Sequence, residues 1–194
     1  MDFQHVNVKF LVKNPEAVDL EPLIPVFHRW IQGQVCEELL LDIADYRHVP
    51  KGPGIVLIGH QADYSVDNSE GRLGVRYNRK APFDGTNQDR LRQAACSALK
   101  AFQRLEGEAA LGGKLFFNGY DVELFINDRM LAPNREDTRK VFEPDFKALF
   151  EKLFANSDYS LTYSTDPRKL LELRARTSQP FSIGQLMNNL SSWL

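Results

Sequence analysis

Apolar and polar residues alternate through Val6, Val8, Phe10 and Val12, with His5, Asn7 and Lys9 between them, until Lys13-Asn14-Pro15 stops the run. Period two predicts a strand over 3–12, with Asn7 and Lys9 on a solvated face. Leu23, Ile24, Phe27, Trp30 and Ile31 then recur at helical spacing. They predict a helix over 20–32 that tolerates Pro25 in its first turn and ends at Gly33. His28 lies one residue off this stripe and is read as a boundary side chain without a role.

Residues 39–47 are predicted as a strand, and the Pro- and Gly-rich stretch 49–54 as a loop. In 55–66 the alternating set Val56, Ile58, His60, Ala62, Tyr64 and Val66 predicts one strand, turning at Asp67-Asn68-Ser69-Glu70 into a second over 72–79. Keeping every apolar residue on one face sets Val66 opposite Gly71, Tyr64 opposite Leu73, Ala62 opposite Val75 and His60 opposite Tyr77. Folding about the middle of loop 49–54 sets Ile43 opposite His60 and Asp45 opposite Ile58. Asp45, His60 and Tyr77 would then share the inward face, and Asp42, Gln61 and Arg76 the other.

Further on, Thr86 can cap a helix with Asp89 at the box position; Leu91, Ala95, Ala98, Leu99, Phe102 and Leu105 form its apolar face to about residue 106. Asn118-Gly119 is the strongest short hairpin signal, predicting that 114–127 folds with Phe117 opposite Tyr120 and Leu115 opposite Val122. A helix capped by Asn134 carries the stripe Val141, Phe142, Phe146, Leu149, Phe150 and Leu153, and Pro144 predicts a kink or two pieces. Strict alternation predicts strands at 159–165 and 171–177 around Asp166-Pro167, against a rival helix begun at Asp166. From Ser182, the spacing of Ile183, Leu186, Met187, Leu190, Trp193 and Leu194 predicts a short amphipathic helix over 182–194, docked on its own sheet or on a second subunit.

Hairpin-linked strands with helices between them predict an α+β fold: a mainly antiparallel sheet of seven to eight strands with three to four helices packed largely on one face, in one domain over 1–194. The order helix, strand, strand recurs near 20–66, 87–127 and 136–177, but no side chains align between the copies. A length of 194 residues suits one sizeable core. Composition adds mainly exclusions. The formal net charge is −2, so no global field draws the chain to nucleic acid or membrane, and neither is expected as a partner. Cys36 and Cys96 form no CxxC or zinc spacing and are read as buried thiols in a reducing compartment. No leader pattern or membrane-length apolar run is seen, so a soluble cytoplasmic protein is expected.

Three clusters carry candidate chemistry. Asp45, His60 and Tyr77 on an apolar face would have to be hydrogen-bonded, either to orient a general base or bind a polar ligand head, or to satisfy one another as a core network. Arg72, Arg76 and Arg79, with Lys80, offer contacts to a phosphate or an acidic partner, or form a solvated strand balanced by Asp42 and Asp63. Asp42, Asp45, Asp63 and Asp67 make a carboxylate-rich neighbourhood, but no EF-hand spacing supports a cation and no metal site is expected. No GxGxxG, GxxxxGK[ST], GxSxG or HExxH occurs, and the cofactor is unknown. The preferred reading is a small-molecule binding protein or enzyme with its pocket between the sheet and helix 86–106. The alternative is a non-catalytic interaction subunit, homodimeric through the last helix or part of a larger assembly.

Overall fold

The computed structural model describes residues 2–191, so Trp193 and Leu194 of the last expected helix lie outside the described residues. Among the described residues, eight strands form one antiparallel sheet: β1 (Val6–Val12), β2 (Leu40–Tyr46), β3 (Gly54–Gly59), β4 (Ala62–Asp67), β5 (Gly74–Arg79), β6 (Phe117–Ile126), β7 (Tyr159–Tyr163) and β8 (Leu171–Thr177). Their spatial order is β2-β3-β4-β5-β1-β6-β8-β7. Four helices, α1 (Leu23–Gly33), α2 (Asn87–Glu106), α3 (Glu136–Leu153) and α4 (Ile183–Ser191), complete the α+β architecture that the hydrophobic pattern predicts. None of them is long and apolar enough to cross a membrane.

The covered face is built from alternate residues in register: Val8 lies beside Tyr77 and Leu124, Phe10 beside Val75 and Val122, and Leu124 beside Leu173. Helix α2 crosses β1 and β5 with Leu91, Ala95, Ala98, Leu99 and Phe102 buried. Its start is fixed as the sequence suggests. The Thr86 side chain accepts from the Asp89 amide, and the Asp89 carboxylate accepts from the Thr86 amide at 2.8 Å. Ser182 and Gln185 repeat the arrangement at α4, whose Ile183, Leu186 and Leu190 are buried where it packs on α2 and α3.

Several expectations are corrected. Residues 55–66 are not one strand but the hairpin β3–β4, pairing Ile55 with Val66 and Ile58 with Asp63. Gly59 is what closes it: a Cβ there would meet the Ala62 carbonyl oxygen at 2.4 Å. His60 therefore sits in the turn, exposed, and its amide donates to the Leu39 carbonyl. The neighbouring registers change with it. Asp45 pairs with Ile55, and Tyr64 pairs with Tyr77 after a 3-10 turn over Ser69–Gly71.

Asn118-Gly119 makes no hairpin. It lies inside β6, where the register against β1 slips between Phe10 and Val12, and Gly119 takes φ 88° as part of a bulge. Asn118 Oδ1 accepts from the Tyr120 and Asp121 amides, which holds the irregularity in place. Helix α3 runs through Pro144 in one piece; it starts after Arg135, with no side-chain cap, while Asn134 instead accepts from Arg139. Finally, β1 has no wet face. Lys9 is 1% exposed, its ammonium 2.6 Å from Asp67 and 4.0 Å from Glu123, in the middle of the sheet face that lacks helices.

Candidate functional site

The site begins where α1 ends. Gln34 caps the helix in the left-handed region (φ 42°, ψ 54°), and its side chain donates to the Ile31 and Leu40 carbonyls and accepts from the Leu40 amide. That fixes the connecting segment 34–39 over the sheet and places Cys36, Glu37 and Glu38 between α1 and α2.

Glu38 is buried and reaches inward to two strands. Its carboxylate accepts from the Tyr64 hydroxyl and, at 2.7 Å, from the Tyr77 hydroxyl. The two tyrosines are cross-strand neighbours with ring centroids 5.2 Å apart. From α2, Gln93 donates to the Tyr77 hydroxyl at 2.8 Å and to Ser97 Oγ at 3.1 Å. Arg79 stands 3.9 Å from Glu38. The network joins segment 34–39, β4, β5 and α2.

Above it opens a cavity of about 900 Å³ between α1, segment 34–39 and α2. Trp30, Val35 and Ala101 supply apolar wall, while Cys36, Tyr64 and Ser97 supply polar atoms deeper in. Two ion pairs at the mouth join opposite sides: Arg29 of α1 meets Glu108 at 2.7 Å, and Lys100 of α2 meets Glu37. Glu108 also accepts from the Trp30 indole at 2.9 Å. Arg104 lines the same cavity and has no acid partner among the described residues.

Burial pushes the Cys36 thiol up to about 11, with Glu38 and Glu37 adding to the rise and Tyr64 and Arg104 opposing it. Burial likewise raises the Tyr64 and Tyr77 hydroxyls, reinforced by Cys36 and Glu38 around Tyr64 and by Glu38 beside Tyr77. All three groups are protonated at neutral pH. Neither the thiol nor a phenol is poised as a nucleophile or general base, which needs a pKa near the working pH. What the cavity offers is shape, apolar wall and hydrogen bonds.

The residues singled out from the sequence are dispersed. Asp45 is exposed and paired with Arg47 at 2.7 Å, which holds its carboxyl down to about 2. His60 is at the opposite end of β3, in the hairpin turn, and Tyr77 alone belongs to the network beneath the cavity. The arginines divide between the two faces. Arg72 meets Glu123 and Glu172, and Arg76 lies 3.6 Å from Asp67 with its guanidinium over the Phe125 ring, both on the helix-free face. Arg79 faces the helices and donates to the Ala81 and Pro82 carbonyls. The four aspartates also part: Asp42 accepts from the Ile43 amide, Asp63 meets Lys80 and Asp67 meets Lys9.

Glu38, the hub of the network, escaped sequence reasoning. The available signal was an acid two residues before the apolar strand 40–46, opposite two tyrosines whose true register brings them side by side. Compared with protein families, curated proteins and solved structures, the chain matches none of them.

Proposed function

We propose that this protein is a small-molecule binding protein whose ligand occupies the cavity between α1, segment 34–39 and α2. The observation that carries the reading is the cavity itself: about 900 Å³, within the range of drug-sized ligand sites, with mixed apolar and polar walls. Its base is held by the Glu38–Tyr64–Tyr77–Gln93 network, so the wall is shaped before a ligand arrives, which lowers the ordering cost of binding. Binding is favoured over catalysis because the protonatable groups Cys36, Tyr64 and Tyr77 are held in their neutral forms.

Native mass spectrometry of the gently purified protein, at low and high collision energy, tests this. The expected result is a retained small mass that dissociates at high energy and is absent from Ala101→Phe, where the larger side chain fills the cavity. A retained mass unaffected by Ala101→Phe, or a wild-type spectrum without one, counts against the reading.

A further inference from the structure

The groups lining the cavity differ in what they have left to offer. Both acids at the mouth are engaged, Glu108 with Arg29 and the Trp30 indole, Glu37 with Lys100. Deeper down, Tyr64 gives its proton to Glu38. Among the described residues, Arg104 and Ser97 are two of the lining donors left uncommitted. The exposed Arg104 guanidinium has no acid partner among the described residues, and Ser97 accepts from Gln93 with no acceptor there for its own proton. Three cations against two acids leave the lining one positive charge in excess, although the whole chain is net negative. At Cys36 on the inner wall the Arg104 charge favours the thiolate, but the Glu38 carboxylate opposes it more strongly, so the positive excess lies at the rim around Arg104.

Resting on the binding function proposed above, we infer that the ligand is an organic anion, its carboxylate or phosphate held by Arg104 and Ser97 and its apolar or aromatic body lying against Trp30, Val35 and Ala101. A guanidinium forks onto either kind of anionic group, so both heads share this chemistry. A cationic ligand would meet the excess positive charge. A neutral one could accept from Arg104 but without the full charge assistance of an anionic head.

The test uses four probes with one body and different heads: 2-naphthoate, 2-naphthyl phosphate, 2-naphthamide and 2-naphthylmethylammonium, each measured by equilibrium dialysis against the full chain. Both anions are expected to bind about tenfold or more tighter than the amide, in line with a charge-assisted hydrogen bond, and the ammonium least of all. Their ratio to one another identifies the preferred head. Arg104→Gln should erase the advantage of the anions, bringing their affinity down to about that of the amide. Amide or ammonium binding as tight as the anions', or an anion preference that survives Arg104→Gln, overturns the inference. Val35→Trp and Ala101→Phe, two separate ways of filling the cavity, distinguish this from failure of the underlying function. Loss of all probes in a folded filled variant supports the cavity even where the charge preference fails. Binding that persists in both variants, or no binding of any probe to the wild type, overturns the two together.

Discussion

Lys9 shows how far a residue's setting can depart from its local pattern. In sequence it is the polar member of an alternating strand, yet in the fold it is buried between Asp67 and Glu123, which lie 58 and 114 positions further along. No local spacing reveals such partners, and the same holds for Glu38 with Tyr64 and Tyr77. Breaking a buried pair by removing one side strands the other charge and costs about 3–5 kcal/mol. Asp67→Asn should therefore lower stability at neutral pH by roughly that amount. The pH dependence follows from the carboxyl itself. Burial alone would raise its pKa, but the Lys9 ammonium and Arg76 outweigh that and hold it below the usual carboxylate range. A depressed carboxyl contributes its stability in full above the unfolded pKa of about 3.9, and the contribution is lost as pH falls through the lower folded value. Urea midpoints followed from neutral pH into that acid range should fall steeply for the wild type below about pH 4 and less steeply for Asp67→Asn. Parallel acid limbs would count against Asp67 as their source.

Among the elements, those that interact mainly with themselves were legible. The capped helix α2, the helix α1 with its early proline, and the alternating strands β7 and β8 stand close to where hydrophobic period and cap chemistry put them. Elements whose form depends on a neighbour were not. Gly59-His60-Gln61 carries no strong turn signal, and its reversal rests on Gly59 letting the Ala62 carbonyl approach. Asn118-Gly119 carries the strongest hairpin signal, yet the same conformational freedom serves a bulge because β1 and β8 flank β6 on both sides. Here the local preference for positive φ survives while the larger fold decides its use. At Gly119 a Cβ would meet Pro180 at 3.1 Å, and φ 88° would strain any L side chain. Gly119→Ala is therefore expected to cost about 1–3 kcal/mol. It should lower the midpoint of thermal unfolding while the far-ultraviolet circular dichroism of the folded state is retained. An unchanged midpoint would mean that the bulge tolerates ordinary residues.

At the scale of the whole molecule, one apolar cluster runs from the sheet through all four helices, and the ionic network occupies the other face. The correct α+β outline followed from the first of these, because face coverage is written in the two periodicities; the second required contacts across strands. The last helix is where this organisation bears on assembly. An amphipathic helix at 182–194 invites a second subunit, but the apolar side chains Ile183, Leu186 and Leu190 are buried against α2 and α3 of the same chain. The face that would have to meet another copy is occupied at home. Leu186, fully buried, discriminates between the two roles. If α4 serves the chain's own core, Leu186→Ala leaves a cavity and costs about 2–5 kcal/mol, with the mass in solution unchanged from that of the wild type. If α4 is instead a detachable contact between copies, the same substitution shifts the mass measured by light scattering and moves the unfolding midpoint only at concentrations where association occurs. The burial of Leu186 among α2 and α3 predicts the first outcome: a loss of stability independent of protein concentration.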